Sequence, residues 1–266
     1  MLILEKTLGL GRARVAVPSL VALVLGAFGP TLQAESNTVV LEEIVVTATK
    51  RDESLQDVAV SVSAIARELK QANIRRLDDI QTYSPNLYIR RAPGIASGAN
   101  ISIRGIGTLD TDKSLDPAIG VMMDGMFLGT ASGVLMQNFD IKRIEVLRGP
   151  QGTLFGKNTT GGLINIVRGD VTMAWGADLS VTLDEHGRED IKAVVNVPII
   201  DDKFGVKLFA AQIKSDGWVK NTTLNEDVGG DDLANYGFTA LWQVADNFDL
   251  KLHYEKMQDD SDQGAY

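Results

Sequence analysis

The chain of 266 residues carries 26 Lys and Arg against 35 Asp and Glu, and it has two histidines and no cysteine. The missing cysteine excludes a disulfide scaffold, a cysteine metal cluster and a thiol enzyme. The net charge of −9 argues against a general nucleic-acid binder, which needs a basic face. With 44% hydrophobic residues, the chain is long enough and apolar enough for one or two cores.

Residues 1–34 have the pattern of a secretory signal peptide. Lys6, Arg12 and Arg14 precede an apolar run over 15–28, and Ala34 ends a plausible cleavage site. The run is shorter than the ~20 residues of a transmembrane helix. An uncleaved anchor and a buried helix are the alternatives.

Residues 35–57 are polar except for one short apolar run. Residues 58–170 have the pattern of short strands, two short helical stretches and glycine-rich turns. This composition predicts a small α+β unit. Strands are expected at 58–63, 101–104, 120–123, 144–147 and 163–167, and helical stretches at 64–73 and 77–83.

From residue 171 onward, apolar residues fall on every second position. The pattern predicts about five antiparallel strands, each with one apolar and one polar face, and their length suits a transmembrane β-strand. The expected strands cover 175–183, 191–197, 204–210, 236–244 and 248–255.

The connections between these strands alternate between short turns and one long polar loop over 214–233. This asymmetry is typical of outer-membrane barrels, although a soluble β-sandwich alternates in the same way. Five strands cannot close a barrel, and an open edge in lipid is costly. The interpretation is therefore the start of a truncated barrel over 171–266.

An extended, β-branched segment lies before the α+β unit and suits strand addition to a partner's sheet edge. This segment resembles the TonB box of TonB-dependent outer-membrane receptors. Its residues are Glu42, Glu43, Ile44, Val45, Val46, Thr47 and Ala48.

A longer and more specific match lies in the α+β unit. The stretches 101–107, 116–125, 143–156 and 158–166 resemble the plug domain of the same family, the last two around RIEVLRGPQGTLFG and NTTGGLINI. The segments also follow one another in the same order as in that family: signal peptide, TonB box, plug (58–170) and the start of the barrel. The resemblance implies a plug folded inside a barrel of about 22 strands.

The resemblance also implies a function. A scarce small-molecule ligand, foremost a metal chelate such as a ferric siderophore, binds at the outer face of the Gram-negative outer membrane, whose lipid surrounds the strands. The box hangs into the periplasm, where TonB and its inner-membrane energising complex engage it. No cofactor, metal site, nucleic-acid partner or catalytic residue is expected, and the chain is not expected to be an enzyme.

Two alternatives from other classes stay open. One is a truncated plug module that binds TonB without transporting a ligand, and the other is a passive outer-membrane barrel. Charged residues on the plug strands are candidates for contact with the barrel wall, or else ordinary surface charges. These candidates are Arg104, Arg143, Glu145 and Arg148.

Overall fold

A computed structural model describes residues 44–47, 49–72, 74–92, 98–108, 115–129, 135, 139–184, 187–223 and 225–262. The expected signal peptide and three members of the expected box, Glu42, Glu43 and Ala48, lie outside these residues. Within the described part of the chain, no helix is both long and apolar enough to cross a membrane.

The first part of the described chain is a small α+β unit, called the plug below. Its helices are α1 (Arg67–Gln71), a 3₁₀ helix (Leu77–Thr82) and α2 (Gly152–Phe155). Its strands are β1 (Val45–Val46), β2 (Glu53–Ser54), β3 (Val62–Ile65), β4 (Leu87–Arg91), β5 (Ala99–Ile103), β6 (Ile106–Gly107), β7 (Ile119–Met123), β8 (Met126–Phe127), β9 (Ile141–Arg148) and β10 (Gly162–Arg168).

The central sheet of the plug has the order β3-β9-β10-β7-β8, with β10 antiparallel to β9 and parallel to β7. Alternate side chains of β9 and β10 point to opposite faces. Ile144, Val146 and Ile164 lie on one face, within the main apolar core. Leu147 and Leu163 lie on the other face, in a second apolar cluster that contains Val46. Residues before β3 therefore cover one face of the sheet.

The second part is a meander of antiparallel strands, called the wall, with the order β11-β12-β13-β16-β17. A small hairpin, β14–β15, projects from the long connection between β13 and β16. The wall strands and this hairpin are β11 (Gly176–Leu183), β12 (Glu189–Ile200), β13 (Phe204–Lys214), β14 (Val219–Asn221), β15 (Glu226–Val228), β16 (Asp232–Ala245) and β17 (Phe248–Asp259).

The expected alternation is clearest in β13. Lys207, Phe209 and Ile213 face the plug and are buried, whereas Leu208 on the opposite face is 49% exposed. The outer face of the wall also exposes Trp242 and Leu250, so this face carries large apolar side chains. The predicted five-strand wall is confirmed, and its described strands form an open sheet.

The predicted elements of the plug differ from the structure mainly at their ends. The strand expected at 58–63 begins only at Val62 and ends at Ile65, and Val58 packs against the cluster around Val46 from outside the strand. The helix expected at 64–73 is confined to α1. The sequence interpretation missed β4, whose exposed Tyr88 and Arg90 alternate with buried Leu87 and Ile89.

Candidate functional site

The described box residues are folded onto the plug. Val45 and Val46 pair antiparallel with Ser54 and Glu53, so β1 and β2 form a small hairpin. Val46 is completely buried and packs with Met122, Leu147 and Leu163. Ile44 and Val45 are about two-fifths exposed, at 38% and 41%. The apolar side chain at the centre of the box therefore belongs to the plug's second cluster.

Thr47 anchors the box through a polar cluster on the same face of the sheet. Its backbone N–H donates to Glu145 Oε1 at 2.9 Å, and its hydroxyl lies 3.1 and 3.2 Å from the two carboxylate oxygens. Arg143 Nε donates to Glu145 Oε1 at 2.7 Å, and Asn165 Nδ2 donates to Glu145 Oε2 at 3.0 Å. Glu145 is fully buried, so these donors replace the water that its carboxylate has lost. We call Thr47, Arg143, Glu145 and Asn165 the box latch.

The box is thus docked, whereas the resemblance led us to expect a segment hanging into the periplasm. The reason is physical. The face of β9 and β10 that carries Leu147 and Leu163 would otherwise expose apolar side chains, and Val46 covers them. The sequence signal was the alternation of Arg143, Glu145 and Leu147, which puts charge and apolar surface side by side on one face.

Arg104 and Arg148 lie together elsewhere in the plug. Arg148 donates to the hydroxyls of Ser63 and Ser84 at 2.6 and 2.9 Å, and Arg104 donates to Ser61 Oγ at 3.4 Å. Burial lowers the pKa of the Arg148 guanidinium from its ordinary value, and the nearby positive charge of Arg104 lowers it further. This pair is a concentration of positive charge suited to a carboxylate partner.

The contacts between the plug and the described wall are made by other residues. Buried Lys207 of β13 donates to Asp140 and, at 2.5 Å, to the carbonyl of Gly169. Arg168, at the end of β10, pairs with Glu255 of β17 at 2.5 Å. We call Asp140, Arg168, Lys207 and Glu255 the plug–wall clamp.

In the described part of the chain, the clamp makes the polar contact between the plug and the wall. The structure shows Arg104, Arg143, Glu145 and Arg148 bonded to plug residues, because they lie on strands and turns inside the plug sheet. Sequence reasoning missed Lys207, although a lysine on the inward face of a mostly apolar strand is a signal of a buried partner. Burial raises the pKa of the Asp140 carboxyl above its ordinary value, and the charges of Lys207 and Arg168 oppose that shift.

Among the described residues, no group of three or more His, Asp or Glu is arranged to hold a metal ion. Asp116 accepts instead from Lys157 Nζ at 2.6 Å and Asn158 Nδ2 at 3.1 Å. The first of these hydrogen bonds is the main cause that lowers the Asp116 pKa.

Comparison with known proteins agrees with this arrangement of a plug followed by a wall. Residues 54–163 match the family model of the TonB-dependent Receptor Plug Domain. The pesticin receptor of Yersinia pestis is 30% identical over 193 residues, which cover 70% of this chain and 28% of that protein. The vitamin B12 transporter BtuB of Vibrio vulnificus is 30% identical over 126 residues, or 47% of this chain and 20% of that protein.

A solved structure shows the same fold. The ferric yersiniabactin uptake receptor FyuA of Yersinia pestis superposes with a TM-score of 0.67 and 23% identity, over 74% of this chain and 31% of FyuA. The chain thus combines a plug domain of the TonB-dependent receptor family with part of a β-barrel wall. It spans between a fifth and a third of the length of these relatives.

Proposed function

We propose that this chain is part of an outer-membrane receptor that imports a ferric siderophore with energy delivered by TonB. The box latch is the observation that carries the proposal. It ties Thr47 to Glu145 on β9, the strand that lies between β3 and β10 in the plug sheet. A partner that adds a strand to the box can therefore transmit a pull directly into the plug.

The exposed part of the box supports engagement by TonB. Ile44 and Val45 present side chains to solvent, while the β1–β2 hairpin keeps the segment extended. Strand addition uses backbone hydrogen bonds for affinity and alternate side chains for register, and a β-branched segment meets both needs. The remaining box residues expected from the sequence, Glu42, Glu43 and Ala48, complete the proposed TonB-binding segment.

The wall supports a place in the outer membrane, with its apolar face toward lipid. We further propose that Arg104 and Arg148 contact a carboxylate of the barrel wall.

A ferric siderophore is the proposed ligand because FyuA is named as a ferric yersiniabactin uptake receptor. A cobalamin is the competing ligand, because BtuB is named as a vitamin B12 transporter.

The test compares source cells that carry the wild-type gene with cells that carry Val45→Pro. Proline removes the backbone donor and restricts the dihedral angles of a paired strand, so we expect energised uptake to be abolished while ligand binding at the cell surface stays intact. The probes are radiolabelled ferric yersiniabactin, ferric pyoverdine and vitamin B12. Each is measured with and without a protonophore.

The matched control is Val45→Thr, which keeps the N–H group and the β-branch and is expected to transport normally. An immunoblot of outer membranes establishes that each variant reaches the membrane in equal amount. Wild-type uptake by Val45→Pro would refute energy coupling through the box. If the protonophore leaves uptake unchanged in all three strains, the protein is a passive barrel. If the wild type binds the ligand without taking it up, the protein is a non-transporting module.

A further inference from the structure

The outward face of the wall changes character along its strands. Near the short turns it is apolar, and exposed Trp242 of β16 lies directly opposite exposed Leu250 of β17. At the long-loop end, Lys214 of β13 lies opposite Asp232, with 4.0 Å between the ammonium nitrogen and the carboxylate. The outward face therefore passes from an apolar surface to an ionic one.

Lys256 of β17 interrupts the apolar surface before its ionic end. This lysine is exposed, and by alternation it shares the outward face with Tyr254. Its direct cross-strand partner is Tyr236, and its diagonal neighbours on β16 are Ala234 and Phe238. These neighbours are uncharged, so among the described residues of the two strands no carboxylate lies beside the ammonium group on this face.

The position of Lys256 along its strand gives its depth in the membrane. The short turns of outer-membrane barrels are periplasmic, and Phe248 begins β17 just after such a turn. At about 3.3 Å per residue and a strand tilt of about 40°, Lys256 lies roughly 20 Å further out. The apolar band of such barrels is about 25 Å tall, so Lys256 falls near its outer margin. Tyr236 and Tyr254, at 48% and 52% exposed, suit the aromatic girdle at that margin.

A lysine at this depth meets the headgroups of the outer leaflet. Its ammonium group is a compact, strongly hydrated charge, and a phosphate offers it both negative charge and strong acceptor oxygens. Directly paired residues of neighbouring strands have Cβ atoms about 5 Å apart, so the hydroxyl of Tyr236 can donate to the same phosphate. The pair therefore fits a phosphorylated headgroup.

We propose that Lys256 and Tyr236 bind a phosphate of a phosphorylated glycolipid in the outer leaflet. The apolar surface that includes Leu252 receives the acyl chains of this lipid. A glycolipid is the occupant because the next row toward the long-loop end contains exposed Gln212, whose amide can hydrogen-bond sugar hydroxyls. This inference rests on the place in the outer membrane that the proposed function gives to the wall.

The test uses native mass spectrometry of purified full-length receptor in detergent, which counts the lipid molecules bound to each protein. Three lipids are titrated: bisphosphorylated lipid A, lipid A with both phosphates removed, and phosphatidylglycerol. Loss of one positive charge beside an anionic headgroup weakens binding about five-fold. We expect this loss for Lys256→Gln with bisphosphorylated lipid A, a smaller loss for Tyr236→Phe, and no change in either variant with the dephosphorylated lipid.

Two matched variants make the test specific. Lys256→Arg keeps the positive charge and is expected to bind like the wild type. Lys251→Gln removes an exposed lysine from the inward face of the same strand, so lipid binding should stay unchanged. Equal binding by the wild type and Lys256→Gln, or the same loss in Lys251→Gln, would overturn the site.

The remaining outcomes separate the occupant and the import proposal. If phosphatidylglycerol binds as tightly as bisphosphorylated lipid A and loses the same affinity in Lys256→Gln, the assignment to a glycolipid is wrong. Lipid binding by purified receptor does not depend on uptake. Wild-type uptake by Val45→Pro, together with binding of lipid A that depends on Lys256, would therefore refute the import proposal and leave the lipid site in place.

Discussion

At the scale of single residues, one buried carboxylate organises the attachment of the box. Glu145 accepts hydrogen bonds from Thr47, Arg143 and Asn165 with no exposed surface of its own. A buried charge is stable only when its partners are in place, so each donor contributes to holding the others. The strength of the latch is therefore adjustable by removing a single hydroxyl group.

We expect Thr47→Val to loosen the box without disturbing the plug core. The substitution keeps the backbone N–H that donates to Glu145 and removes only the hydroxyl, at a cost of about 1–2 kcal/mol. The open population of the β1–β2 hairpin should then rise about 5- to 30-fold. Hydrogen–deuterium exchange of peptides covering residues 44–57, measured by mass spectrometry on the full-length receptor, reports this change.

Thr49→Val is the matched control, because the Thr49 hydroxyl is buried without a hydrogen-bond partner among the described residues. Replacing an unsatisfied hydroxyl with a methyl group should leave exchange unchanged or slow it. Equal acceleration by both substitutions would mean that the latch contributes nothing beyond ordinary packing.

At the scale of elements, β13 combines an exposed apolar outer face with the clamp on its inner face. Lys207 is 1% exposed, and its ammonium group is satisfied by Asp140 and the Gly169 carbonyl. Asp140 sits at a positive φ of 53°, a conformation uncommon for residues other than glycine. Strained residues persist where their surroundings fix them, and here the clamp does so.

We expect Lys207→Met to destabilise the plug by about 3–5 kcal/mol at neutral pH, because it leaves Asp140 buried without its main partner. The double variant Lys207→Met, Asp140→Asn should recover most of that loss, because asparagine removes the buried charge and tolerates the positive φ at this position. Urea unfolding of full-length receptor in detergent, followed by tryptophan fluorescence, measures both. A double variant no better than the single one would show that Asp140 is not the partner that matters.

The loss in Lys207→Met should also depend on pH. Burial already raises the folded-state pKa of Asp140 above its unfolded value, and removing the lysine charge raises it further. The positive charge of Arg168 weakly opposes this rise, and the negative charge of Asp124 adds to it. When the folded-state pKa of a carboxyl is raised, the free energy of unfolding of the protein falls as pH rises through that pKa. The deficit should therefore be largest near neutral pH and shrink in acid. A deficit that stays constant from neutral to acidic pH contradicts this assignment.

At the scale of the whole molecule, the sequence predicts the order of plug and wall and the inner and outer faces of the wall strands. These features depend on local alternation, which has a fixed period of two residues in a strand. The box latch and the clamp depend instead on contacts between distant positions, such as Thr47 with Glu145 and Asp140 with Lys207. Alternation places such side chains on a face, but only the packed fold selects their partners.

The docked box leads to a last prediction about the whole molecule. If TonB adds a strand to the box, the β1–β2 hairpin must open, and a covalent bond across it should stop transport. Val45 and Ser54 are direct cross-strand partners, at the separation that a disulfide needs. We expect Val45→Cys, Ser54→Cys cells to lose energised uptake when oxidised and to regain it after reduction. Each single variant should transport under both conditions, and uptake by the oxidised double variant would show that the hairpin stays closed during transport.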